Sequence, residues 1–205
     1  DQPKLYVEKT QQKVMGNKKL FFEECLIPMY QEFEIAKNLS HPNIVEYKYF
    51  VKKYDKPNDT YKMHMLLEFL EGGDLGDYIQ ARGKVSLPMI RQIGGQLLGA
   101  LSYLHSLNIV HQDIKPKNIV FKRDQKTVKF IDLGVSHMQV NSLKKLVGTQ
   151  KNVSLALQGS PLYRSPEQNK LTHSRKMDIW ALGCVLLQCA TGQKPWHKSK
   201  AQTEK

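Results

Sequence analysis

The chain has 205 residues and 40% apolar composition, enough for one globular unit with a sizeable core, in one lobe or two. Its formal charge of +12 suggests acidic partners such as phosphates, but the lysines are scattered, and no RNA-recognition signature, zinc finger or basic zipper is present. The densest basic groups, Lys144-Lys145 and the tail residues Lys194, Lys198, Lys200 and Lys205, read as a solvated surface, so no nucleic-acid partner is expected. Cys25, Cys184 and Cys189 lack paired or metal-ligand spacing, which argues against a disulfide scaffold and fits a reducing compartment. Cys184 and Cys189 sit in an apolar run as buried free thiols. With no signal-peptide pattern and no apolar run that could span a bilayer, the expectation is a cytoplasmic protein without a membrane span.

In chain order, "KLYVEKT" alternates apolar and polar residues from Leu5 to Lys9 and predicts a half-buried strand. From Pro28 to Leu39 the pattern turns helical, with Met29, Phe33, Ala36 and Leu39 at steps of three and four. Pro42 breaks it, and "HPNIVEYKYF" returns to strand. After the polar loop "YDKPNDT", Lys62 to Leu70 reads as another strand. Gly72-Gly73 punctuates the chain at a lobe boundary, and Asp74 can cap a short helix. Ile90, Ile93, Leu97, Leu101 and Leu104 mark an amphipathic helix. Gly94, Gly95 and Gly99 each weaken it by roughly 1 kcal/mol relative to Ala, so tertiary packing must support it, and small residues permit close approach. "NIVF" and "VKFI", split by "KRDQKT", form a hairpin pattern. Asp178 to Gly192 is apolar nearly all round, the mark of a buried central helix ended by glycine.

The chemistry concentrates in "HQDIKPKNIVF", His111 to Phe121, where Asp113, Lys115 and Asn118 stand among apolar residues. An acid, a lysine and an asparagine are ordinary surface residues taken alone. Their order relative to "FIDLGVS" (with Asp132), "GSPLYRSPE" (Gly159 to Glu167) and "DIWALG" is specific. With the helix running into "HPNIV" upstream, these motifs make the chain resemble a eukaryotic protein kinase from about Leu5 to Trp196. His111-Gln112-Asp113 resembles the catalytic-loop H-R-D, Asp132-Leu133-Gly134 resembles D-F-G, and Ser165-Pro166-Glu167 resembles A-P-E. "KNLSHPNIVEY" and "LLEFLEGGDL" resemble the kinases that phosphorylate other kinases, the MAP kinase kinase kinases.

The resemblance implies an α+β, two-lobed fold: a partial β-rich small lobe over 1–70 with one helix, and a mainly helical large lobe over 71–205. It implies an ATP-dependent Ser/Thr protein kinase that uses Mg²⁺. Phosphoryl transfer passes through a loose, highly charged transition state, so positioning and electrostatics dominate. In the implied roles Asp113 orients or accepts the substrate hydroxyl proton, Asn118 and Asp132 hold Mg²⁺ through hard oxygen atoms, and Lys115 neutralises the transferred phosphoryl. Lys9 and Glu32 form the small-lobe ion pair, with Lys13 as the alternative lysine, while Glu34 points elsewhere on its helix. Leu67 is the gatekeeper beside adenine. The Glu68 carbonyl and the Leu70 amide bond the adenine edge, Asp74 reaches the ribose or a substrate residue, and Val120 is the adenine floor. Lys115 and Ser160 favour Ser/Thr over Tyr acceptors.

The chain also departs from the pattern. Gln112 replaces the arginine that clamps an activation-segment phosphate, and a glutamine cannot supply charge. Activity is therefore expected not to depend on phosphorylation of Thr149 or Ser154. Leu133 for Phe and Ser165 for Ala are mild changes. A glycine-rich loop is not found before Lys9, "VMGNKK" around Gly16 is no substitute, and the helices that follow "TGQKPW" in the family, with the arginine that pairs with Glu167, are not in the sequence, so a truncated kinase domain is expected. These departures keep open a non-catalytic scaffold, a pseudokinase. The presence of Lys9, Glu32, Asp113, Asn118 and Asp132 together argues against it.

Overall fold

The computed structural model describes residues 6–14, 27–57, 60–133, 137–138, 159–167 and 174–196. Leu5, Gly16, Cys25, Gly134, Lys144-Lys145, Thr149, Ser154 and the basic residues after Trp196 lie outside them. The elements are β1 (Tyr6–Val14), α1 (Ile27–Ala36), β2 (Tyr47–Asp55), β3 (Thr60–Glu68), α2 (Leu75–Arg82), α3 (Leu87–Ser106), β4 (Ile109–Val110), β5 (Ile119–Phe121), β6 (Val128–Phe130), β7 (His137–Met138) and α4 (Arg175–Thr191), with 3₁₀ turns at Pro116–Asn118 and Pro161–Tyr163.

The first three strands form one antiparallel sheet in the order β1-β3-β2. Alternation along β3 sends Met63, Met65 and Leu67 to the buried face, where Met29 and Ile35 of α1 join them. Phe33 and Tyr30 of α1 pack on Phe50 of β2, each pair of ring centroids 5.7 Å apart. The predicted helix ends at Ala36, a turn before Leu39, and a Leu39 N–H bond to the Ala36 carbonyl at 3.0 Å tightens its exit.

The strand expected directly after Pro42 begins only at Tyr47, because Asn43 to Val45 pair elsewhere. Val45 N–H donates to the Phe130 carbonyl and Phe130 N–H to the Asn43 carbonyl, both at 2.9 Å, so this stretch extends the β5/β6 hairpin. The Asn43 side-chain amide fixes the junction by donating to Gln96 Oε1 and the Val128 carbonyl, both at 2.7 Å.

After β3 the chain runs flush against β5. Gly72 N–H donates to the Phe121 carbonyl and Phe121 N–H to the Gly73 carbonyl, both at 2.9 Å. A Cβ on Gly72 would stand 2.4 Å from the Lys122 carbonyl oxygen, and Gly73 has φ 75°, so the pair serves a close approach as well as a turn. Asp74 caps α2 by accepting from Asp77 N–H at 2.8 Å.

Large apolar side chains bury α3 against α4. Ile93, Leu97, Leu101 and Leu104 are fully buried, as are Leu182, Val185 and Cys189. A Cβ at Gly94 would meet Leu186 of α4 at 3.4 Å, an ordinary van der Waals contact, so this position faces α4 without the packing requiring glycine there. The free cysteines Cys184 and Cys189 are buried, and burial pushes the Cys189 thiol up to about 11. Gly192 ends α4 in the left-handed conformation, φ 73°. α4 is not buried all round: Ile179, Trp180 and Leu187 are 38–50% exposed, because its inner face alone meets α3 and the loop after β4. Among the described residues no helix is long and apolar enough to cross a membrane.

Candidate active site

β1 runs opposite β3 with Lys9 across from Met65, so the Lys9 side chain shares the sheet face turned toward α1. Its ammonium donates to Glu32 Oε1 and Oε2 at 3.1 and 2.9 Å and to Asp132 Oδ1 at 3.1 Å. Burial works against the cation, but Glu32 and Asp132 outweigh it and hold Lys9 above its ordinary value. Glu32 is 4% exposed, and that burial raises its carboxyl against the opposing pull of Lys9. Glu34 instead pairs with Lys37 at 2.7 Å on the same helix, and Lys13 stands opposite Tyr61, four positions further along β1.

The loop after β4 hangs on a buried carboxylate. Asp178 of α4, 1% exposed, accepts the His111 and Gln112 N–H groups at 2.9 Å each and a contact from His105 Nε2 at 2.8 Å. Gln112 takes φ 70°, an uncommon conformation for a residue with a Cβ, and its buried side-chain amide has no hydrogen-bond partner among the described residues. Asp113 follows with both oxygens engaged. Oδ1 accepts the Ser160 N–H and hydroxyl at 2.9 Å each, and Oδ2 accepts Lys115 at 2.6 Å and the Asn118 amide at 3.0 Å. Burial alone would raise this carboxyl, but the Lys115 ammonium and the Ser160 hydroxyl together hold it below the ordinary aspartate value. Lys115 also donates to Ser160 Oγ at 3.0 Å.

Asn118 donates a second bond to the Asp113 carbonyl at 2.9 Å, which turns its amide nitrogen toward the loop and leaves its oxygen for another partner. The Asn118 carbonyl accepts Ile131 N–H at 3.0 Å, placing Asp132 beside the loop. Asp132 has φ 62° and is 45% exposed at its side chain, facing Lys9 across the gap between sheet and loop. Thus two polar clusters, Lys9-Glu32-Asp132 and Asp113-Lys115-Asn118, are tied together by the backbone bond from Ile131 N–H to the Asn118 carbonyl.

The adenine-side candidates lie on β3, on the turn that follows it and on β5. Leu67 is buried opposite Val7 and Tyr47. Leu70 is half-buried, packed against the core. Glu68 points its carboxylate at Lys129, 2.6 Å away, and accepts Glu46 N–H at 3.3 Å. Asp74 spends one oxygen on its helix cap and receives Lys117 on the other at 3.1 Å, and its backbone bridges to the half-buried Val120.

Three residues with no motif role hold the site residues in place. Tyr47, 4% exposed, donates its hydroxyl proton to Glu32 Oε1 at 2.8 Å and accepts Leu133 N–H at 3.2 Å. Asp178 opens the "DIWALG" motif, but its carboxylate carries no role there, although an acid in the first turn of an apolar helix is a signal in itself. Lys129 sits in a short strand that is buried throughout, where a lysine needs a partner.

The protein kinase domain family profile matches residues 4–205. Serine/threonine-protein kinase RAD53 of Saccharomyces cerevisiae is 34% identical over 175 residues, 82% of this chain and 21% of its own. A mitogen-activated protein kinase kinase kinase 3 of Arabidopsis thaliana is 34% identical over 181 residues, 86% of this chain and 27% of its own. Serine/threonine-protein kinase BCK1/SLK1/SSP31 of Saccharomyces cerevisiae is 34% identical over 167 residues, 80% of this chain and 10% of its own. The chain therefore spans roughly a tenth to a quarter of these relatives' lengths. On the profile match, the shared identity and the motif order, the chain belongs to the protein kinase domain family.

Proposed function

We propose that this chain is a Ser/Thr protein kinase domain that binds Mg-ATP between the units 1–70 and 71–205 and transfers the γ-phosphoryl group to a protein hydroxyl. The observation that carries the reading is that the Lys9-Glu32-Asp132 cluster and the Asp113-Lys115-Asn118 cluster are held side by side by the Ile131 N–H bond to the Asn118 carbonyl. Val7, Leu67 and Val120 offer apolar surface for adenine, with the Glu68 carbonyl and Leu70 N–H at its edge. Lys9, held cationic by Glu32, faces the phosphates.

The donor set suits Mg²⁺. Among the described residues no cluster of three or more His, Cys, Asp or Glu could hold a metal by itself. Asp132 and the Asn118 amide oxygen offer hard protein oxygens, and this ion prefers a few such ligands completed by phosphate oxygens and water. When bound, it would neutralise phosphate charge. Asp113 orients the acceptor hydroxyl. Its lowered pKa makes it a weak base early in the reaction, which suits a loose transition state in which the proton leaves late. Lys115, 2.6 Å from Asp113, stands where charge develops on the transferred group. Ser160, bonded to both, supports a serine or threonine acceptor. Relatives named as kinases of kinases support a protein kinase as the substrate protein.

The test is transfer of labelled γ-phosphate to Ser, Thr and Tyr peptides, with Asp113→Asn as control. Transfer to Ser or Thr that the substitution abolishes supports the enzyme. A chain that binds nucleotide but transfers nothing, indistinguishable from Asp113→Asn, would make it a scaffold.

A further inference from the structure

We propose that Tyr47 is a positioning residue of this site: its hydroxyl orients Glu32, and through it Lys9, only while the Asp132-Leu133 segment is docked. The proposal rests on the function proposed above. A bulge at Lys48 sets the β2 register, so that Tyr47 lies opposite Leu67 and Tyr49 opposite Leu66, and the Tyr47 ring is buried beside α1. A tyrosine hydroxyl carries one proton, so its bonds have a direction. Leu133 N–H donates to Tyr47 Oη at 3.2 Å, and Tyr47 donates onward to Glu32 Oε1 at 2.8 Å. Glu32 accepts Lys9, and Lys9 reaches Asp132, the residue bonded to Leu133. The result is a closed ring through β1, α1, β2 and the Asp132-Leu133 backbone.

Displacing Leu133 would free the hydroxyl to rotate away from Glu32. Turning α1 would leave the buried Leu133 N–H with a hydroxyl no longer held in place. Each half of the ring therefore favours the other, which an apolar residue at position 47 could not achieve. The groups facing Glu32 are Lys9 from β1, Tyr47 from β2 and Asp132. Burial raises the carboxyl, Lys9 and the Tyr47 hydrogen bond lower it, and Asp132 raises it. Removing the hydroxyl therefore raises it further, and the Lys9 pair is lost at a higher pH as pH falls.

The deciding variant is Tyr47→Phe, which keeps the ring and deletes the hydroxyl. Without nucleotide, hydrogen exchange of the Leu133 amide, read by NMR, should quicken by about tenfold or more. With Mg-ATP and a Ser peptide, kcat/KM should fall by about tenfold and its acidic limb should move to higher pH. A merely structural role would move the melting temperature and the Leu133 exchange rate and leave the acidic limb where it is. If Tyr47→Phe fails to fold, Glu32→Ala reads the link from the other end and should also speed Leu133 exchange. Unchanged exchange and an unchanged acid limb, in a chain whose parent is active, overturn the positioning role and leave the function standing. No transfer by the parent chain overturns the function, and this role with it.

Discussion

The two halves of the candidate site are built in different ways. The loop half, His111 to Asn118, is compact in sequence and hangs from one fully buried carboxylate, Asp178, by the His111 and Gln112 N–H bonds at 2.9 Å. The sheet half draws Lys9, Glu32, Tyr47 and Asp132 from four separate segments, and its central ammonium is 37% exposed at the side chain. A buried carboxylate bonded to two backbone N–H groups makes a fixed platform, because release would strand polar groups away from water. A half-exposed ion pair that depends on three elements agreeing is an adjustable one. The loop half therefore suits the fixed geometry that the proposed transfer chemistry needs, and the sheet half suits the adjustable grip proposed for the nucleotide.

That contrast can be broken most directly by kinetics. Asp113→Asn should lower kcat by about 10³-fold with little change in KM for ATP, the size expected for a lost proton acceptor. Lys9→Met should raise KM as well, and a pure kcat effect from Lys9 would erase the distinction between the halves. The platform itself is tested by Asp178→Ala, which leaves two buried N–H groups unpaired and should cost about 3 kcal/mol in urea denaturation. A loss near zero would mean that the loop holds itself. Where the halves join, Lys129→Met leaves the largely buried Glu68 carboxylate without its cation, for an expected loss of about 2 kcal/mol by the same measurement.

Smaller effects sharpen the picture from its edges. The Glu34-Lys37 pair lies on the outer side of α1, so Glu34→Ala should change stability by about 0.3 kcal/mol and leave KM unmoved. A KM shift there would show that α1 is turned differently. Gln112 stands in the loop half with no charge to offer a phosphate. Replacing Thr149 and Ser154 together with alanine should therefore leave kcat within about twofold, a small effect on the transition-state energy scale. Loss of activity in that double variant, with Gln112→Arg silent, would refute the independence from phosphorylation.

Much of the loop half was legible because its residues are neighbours. The motif resemblance marks Asp113, Lys115 and Asn118, their close spacing between apolar runs keeps them together, and the β5/β6 hairpin follows from two apolar runs around a polar break. Asp74 as a cap and Gly192 as a stop also follow from local backbone chemistry. Glu32 and Lys9 were reached by counting from motifs, with Lys13 left as a rival. Only the register of β1 against β3 separates the two, by giving Lys9 to Glu32. The strand expected at Pro42 starts late because Asn43 to Val45 found the β6 edge, a partner more than eighty residues away in sequence. The apolar composition of α4 implied burial on all sides, but an apolar residue is buried only where something packs on it.

The sequence by itself determined the segments and the order of the motifs, because these depend on propensity and short-range spacing, and the motif resemblance picked out the residues of the candidate site. Tertiary structure decided which polar groups touch. Tyr47 on Glu32, Lys129 on Glu68 and Asp178 under the loop are pairings between distant segments. Their partners are selected by burial, which penalises every unpaired donor or charge until the folded chain supplies one.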